Sequence, residues 1–138
     1  MKDKGPDRLY VEKSVYEEFN RLAQKDSPLS SKQAKHIFML AMALGFKNEL
    51  RSRIETKKEL VRLEYVHDNE KSVINALAVH EEGLAVLLDK NRVYRIAEEY
   101  ASGGIKLLNE MVFSKKGGSF IKKLESDLLQ EYEEFFKP

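Results

Sequence analysis

The chain has 138 residues, 42% of them hydrophobic and 34% charged, with a formal net charge of +1 and neither Cys nor Trp. That length suits one domain, and the apolar share supports a core and is too high for a disordered chain. The lack of Cys excludes a disulfide scaffold, a thiolate metal site and a thiol nucleophile.

In chain order, Met1 to Pro6 is charged with no apolar stretch behind it, unlike a signal peptide, so the protein is expected in the cytoplasm. Arg8-Leu9-Tyr10-Val11-Glu12 reads as a short strand, with Arg8, Tyr10 and Glu12 on one face and Leu9 and Val11 turned to the core. Ser14-Val15-Tyr16-Glu17 has the form of a capping box, and Val15, Phe19 and Leu22 carry a first helix to about Gln24. Lys25 to Pro28 breaks it, and Ser30 or Ser31 caps a second helix. Its main apolar face is Ala34, Ile37, Phe38, Ala41 and Leu44, with Met39, Leu40, Met42 and Ala43 filling much of the other side. A helix apolar nearly all round needs burial on several sides, which a homodimer would supply; wrapping by the later helices is the internal alternative. Gly45 is expected to end this helix.

Residues 47–59, with Lys47, Arg51, Arg53, Lys57 and Lys58, read as an exposed cationic loop, and Leu60 to Val66 as a short strand. Asp68 caps a third helix closed near Gly83, Leu84 to Leu88 is an apolar link or strand, and Asp89 caps a fourth helix. Gly103-Gly104 interrupts that helix at a cost of about 2 kcal/mol in helix propensity, so a kink, a break or a close backbone approach is expected there. Lys115 to Gly118 is a turn, and Phe120, Leu124, Leu128 and Phe135 mark a last amphipathic helix. The fold class is therefore mainly α: about five helices with one or two short strands in a single domain, strand-helix-helix over 1–46 and helical over 60–138. The longest nearly uncharged run, Ile37 to Phe46, is too short to span a bilayer.

Chemistry-bearing patterns are few. His36, His67 and His80 form no HExxH or close pair, so neither a metal nor another cofactor is implied. Lys116-Gly117-Gly118-Ser119 and Ala101-Ser102-Gly103-Gly104 lack the spacing of a phosphate-binding loop. Glu98-Glu99 and the carboxylates of Glu131, Glu133 and Glu134 read as solvated helix faces rather than acid–base pairs. No nucleophile elbow is present, and the protein is expected not to be an enzyme. Its Lys- and Glu-rich surface matches the balance common in thermophile proteins.

The charge is unevenly placed. Residues 1–62 hold 14 Lys+Arg and 9 Asp+Glu, a net of +5, while residues 63–138 hold 10 and 14, a net of −4. A basic first half suits a polyanion such as double-stranded DNA, and the acidic half would repel it; random scatter of surface charge gives the same asymmetry. The order strand, capped helix, loop, apolar helix matches a ribbon-helix-helix module, in which strands from two chains pair and enter the major groove. On that reading Arg8 and Tyr10 face the bases, Ser30, Ser31 and Lys32 hold a phosphate at the start of the second helix, and Arg51 and Arg53 add cationic contacts. Glu12 on the reading face counts against it, and a helical hairpin that merely begins with an extended arm fits the same pattern.

Arg8 to Val11, the run His36 to Asn48 containing MALGFKN, Asp68 to Ala78, and Glu98 to Leu108 containing EEYASGGI together resemble a small prokaryotic and archaeal family. Its members are associated with DNA phosphorothioation (dnd) systems, and the resemblance covers roughly residues 8–112. It implies an accessory role near DNA modification or restriction, with other proteins of such a system as partners, and supplies no active residues. The expected function is a non-enzymatic, DNA-associated accessory or regulatory protein; a protein-interaction adaptor without direct DNA contact is the alternative.

Overall fold

A computed structural model of the chain describes residues 6–24 and 33–113, together with Ser126 and Gln130. The expected turn at Lys115 to Gly118 lies outside the described residues, as do Phe120, Leu124, Leu128 and Phe135 of the expected last helix and the expected caps Ser30 and Ser31. Among the described residues there are four α-helices and one two-stranded antiparallel sheet.

The strand β1 (Arg8–Glu12) alternates as expected, with Leu9 and Val11 fully buried and Arg8, Tyr10 and Glu12 half-buried. It pairs antiparallel within its own chain with β2 (Lys57–Arg62), Arg8 opposite Arg62 and Glu12 opposite Lys57, with an irregularity between Leu9 and Tyr10. β2 thus begins inside the segment expected to be a loop and stops short of Val66, because residues 63–65 wind into a 3-10 turn. Its bounds are set by the pairing with β1, which local composition does not display.

The capping box at Ser14 does not form. Lys13–Val15 make a 3-10 turn anchored by the Lys13 N–H donating to the Thr56 carbonyl at 2.8 Å, and α1 (Tyr16–Leu22) starts without a side-chain cap. A Ser inside a turn cannot take the extended backbone that capping requires.

The helix α2 (Ala34–Lys47) starts with Gln33 at its N-cap and runs through Gly45 rather than ending there. Its end is set four residues on, where Glu49 takes a left-handed φ of 57°. The Leu50 N–H then donates back to the Gly45 carbonyl at 2.7 Å and the Glu49 N–H to that of Phe46 at 3.3 Å, the paired bonds of a Schellman ending.

The third helix, α3 (Asp68–Glu82), has His67 rather than Asp68 as its N-cap, with the Glu70 carboxylate accepting the His67 N–H at 2.9 Å, and Gly83 closes it at φ 88°. Glu70 also takes the almost buried Lys35 ammonium at 3.1 Å, tying α3 to α2. Burial pushes the Glu70 carboxyl up, but the His67 N–H and Lys35 outweigh it and hold the pKa below its ordinary value. Leu84–Leu88 is a 3-10 turn rather than a strand: Val86 is buried, while Leu84 and Leu88 are 73% and 93% exposed.

The long helix α4 (Lys90–Val112) begins as expected, with Asp89 Oδ1 accepting the Arg92 N–H at 3.1 Å. It is unbroken at Gly103-Gly104, and of the three expectations for that pair the close backbone approach is the one realised. A Cβ on Gly104 would lie 2.0 Å from the Ala41 carbonyl oxygen, one on Gly45 2.1 Å from that of Tyr100, and one on Gly103 2.1 Å from that of Leu50. Glycine lets α2 and α4 cross nearly backbone to backbone, and this crossing is the spine of the core, lined by Ile37, Phe38, Ile96, Ala97, Ala101, Ile105 and Leu108. Met42 is buried in that core, and Met39 and Leu40 are partly buried against it. The chain itself therefore supplies much of the cover that had been expected from a second copy.

Candidate functional site

The far edge of β1 is taken by α4. The Tyr10 N–H donates to Glu98 Oε2 at 2.8 Å, and the Glu12 N–H to Ser102 Oγ at 3.1 Å. Four residues of helix advance about 6 Å and two of strand about 6.6 Å. Side chains one turn apart on α4 therefore meet alternate N–H groups of β1, and the two elements run parallel. With β2 on one side and α4 on the other, β1 has no edge to offer a second chain. The expected two-chain ribbon does not fit this arrangement, and neither does a DNA grip built on it.

Beside this contact Asn91, Tyr94, Arg95 and Glu98 line one side of α4, at the i, i+3, i+4, i+7 spacing of a single helical stripe. Across from them stand Pro6, Asp7, Arg8 and Tyr10 at the start of the chain and Lys57 of β2, and the cleft between has a volume of about 390 Å3. Arg8 Nη1 is held by Glu59 Oε2 at 2.6 Å, and the Lys57 ammonium lies 5.2 Å from the centre of the Tyr10 ring. Glu98 is 4% exposed. Burial pushes its carboxyl up to about 7, against the pull of the Tyr10 N–H and the charges of Lys57 and Arg95. Burial also raises the Tyr94 hydroxyl. The cleft thus combines three cations, two carboxyl groups and two aromatic rings, a lining that can bind an anion and hold a planar group.

The family model described as DNA sulphur modification system-associated protein 4 matches residues 12–135. The chain belongs to this family. The match bears out the resemblance read from the sequence and extends it through the C-terminal segment. Comparison with curated proteins and with solved structures gave no match.

In this member of the DNA sulphur modification system-associated protein 4 family, the residues expected to contact DNA are dispersed. Arg8 and Tyr10 share the cleft. Arg51 is committed elsewhere: its Nε donates to Glu99 Oε1 at 2.7 Å and its guanidinium lies 5.6 Å from the centre of the Tyr100 ring. Arg53 is exposed and borders a second cleft of about 380 Å3 with Glu12, Ser102 and Lys106. Ser30, Ser31 and Lys32 lie outside the described residues. Sequence reasoning missed Asn91, Tyr94 and Arg95, and took Glu98 for a solvated carboxylate. The available signal was the helical stripe 91, 94, 95, 98, continued by Ser102, on a helix whose other face is already apolar.

The histidines do different things. His36 Nε2 is 4.0 Å from Glu70 Oε2, His67 precedes α3, and His80 meets the Phe46 ring edge to face at 5.0 Å. Among the described residues no group of His, Asp and Glu is arranged to hold a metal ion, and no helix is long and apolar enough to cross a membrane.

Proposed function

We propose that the protein is a non-enzymatic accessory component of a DNA sulphur modification system, and that it contacts DNA along β1 and the adjoining stripe of α4. Membership of the family supports the setting. The observation that carries the contact is the cleft, where Arg8, Lys57 and Arg95 are interleaved with Tyr10 and Tyr94. Cations position phosphates and aromatic rings stack bases, and the mixture is what a nucleic-acid surface needs. Exposed Arg53, Lys58 and Lys106 add positive charge on β2 and near the far end of β1, while Asp7, Glu12 and Glu59 temper it. Binding is therefore modest and steeply salt-dependent. Fluorescence anisotropy of labelled DNA across about 50–200 mM salt tests it: three phosphate contacts give a log–log slope of about −2 to −3, and Lys57→Gln lowers it by about one. No binding at the lowest salt overturns the direct contact.

A second reading, a protein-contact adaptor, is favoured by Leu84 and Leu88, large apolar side chains held in water at the turn between α3 and α4. Protection of residues 84–88 from hydrogen exchange by another protein of the same system, with none by DNA, would favour it.

A further inference from the structure

The cleft holds one group that phosphate contact does not use. The Glu98 carboxyl is 4% exposed and lines the cleft. Its Oε2 serves the Tyr10 N–H, but Oε1 lies 3.9 Å from Arg95 Nε, beyond hydrogen-bond reach. Holding the edge of β1 does not require a carboxyl: one turn on, the neutral Ser102 hydroxyl does the same for Glu12. Among the described residues the one sealed side-chain polar atom without a partner is Asn109 Oδ1, so Glu98 Oε1 opens on the cleft with acceptor positions that water or the N–H groups of a ligand can fill. The donor would enter through the cleft, past Tyr10 and Tyr94. The volume of about 390 Å3 is at the small end of ligand sites, enough for one nucleotide and too small for a base pair with its backbone.

We propose that the cleft takes up a single unstacked nucleotide of DNA, its base against Tyr10 and Tyr94, its N–H groups on Glu98 and its phosphate on Arg8, Lys57 and Arg95. The inference rests on the DNA-contact reading above and narrows it to one subsite. Extruded bases are held elsewhere by the same combination, stacking on aromatic rings with hydrogen bonds to the Watson–Crick edge. Guanine is the best match, because its N1–H and N2–H lie side by side and both donate to one carboxylate. The carboxyl titrates close to neutrality, so this acceptance strengthens as pH rises past about 7.

The test is an NMR titration of the full chain with dGMP, dCMP and inorganic phosphate, and separately with single-stranded and duplex DNA. Saturable shifts from dGMP confined to β1 and residues 91–98, with dCMP weaker, are expected. Glu98→Gln keeps an acceptor for the Tyr10 N–H and should weaken dGMP at least tenfold while leaving inorganic phosphate unchanged. Tyr94→Leu should weaken every nucleotide, and serves as the second variant if Glu98→Gln alters the fingerprint of the folded chain. The proposal is overturned if phosphate alone binds as well as dGMP, if no mononucleotide saturates at millimolar concentration, or if both variants bind dGMP like the parent. DNA binding that persists in any of those cases leaves the broader reading standing; loss of both removes the two together.

Discussion

Glu98 shows how one buried side chain couples fold to solution conditions. Its carboxyl titrates near 7 in the folded chain, against an ordinary 4.5. Below about pH 4.5 it is protonated in both folded and unfolded states, so folding buries no charge. As pH rises toward 7 the unfolded chain ionises first, so stability contributed by this group is fully present below 4.5 and lost through the folded-state value, by something of the order of 3 kcal/mol. Glu70 has the opposite sign: its lowered value makes its contribution present above 4.5 and lost only in acid. Urea denaturation at pH 5 and pH 8 brackets the window in which Glu98 changes stability, and comparison with Glu98→Gln isolates its share. The parent should lose stability between the two, and Glu98→Gln should flatten that slope and match or exceed the parent at pH 8. An unchanged slope would mean that Glu98 is not buried as described. Its neighbour Glu99 pairs with Arg51 instead, and nothing in the dipeptide Glu98-Glu99 tells the two apart. They point about 100° from each other around the helix, and only the packing of β1 decides which is desolvated.

At the scale of the element, the α2–α4 crossing depends on glycine. A Cβ at Gly104 would meet backbone atoms of Ala41 and Gly45 at 2.0 and 2.6 Å, neither of which can rotate away. Gly104→Ala should cost about 3 kcal/mol or more, beyond the usual range for overpacking a side-chain core, even though Ala is the better helix former by about 1 kcal/mol. A urea midpoint equal to the parent's would show that the helices do not approach so closely. The same crossing marks what the sequence could disclose. The alternation of β1 and the Asp89 cap were legible because each is decided within a few residues. The end of α2 was not, because Gly45 serves the crossing and the left-handed turn falls to Glu49, where glycine would be usual. The cap expected at Ser14 and the bounds expected for β2 failed for a related reason: the Lys13–Thr56 bond and the pairing of β1 with β2 join positions more than 40 residues apart.

At the scale of the molecule, the +5 and −4 halves of the chain do not become two separate faces. Strand β1 of the basic half runs parallel to α4 of the acidic half, and the cleft draws Arg8 and Lys57 from one and Arg95 and Glu98 from the other. The charge asymmetry pointed to a polyanion, but its residues reach the site mixed with carboxylates, so net charge by segment could not locate it. The family setting was legible in the MALGFKN and EEYASGGI phrases and is carried by the match over residues 12–135. The two-chain ribbon was not to be had from the order of elements, because what occupies the second edge of β1 is a helix 80 residues further on. Hydrogen–deuterium exchange of the chain with and without DNA at low salt tests the central claim most directly. The account predicts added protection at residues 8–12, 57–58 and 91–98, weakening with salt. Protection absent from those segments, or confined to residues 84–88, would contradict it.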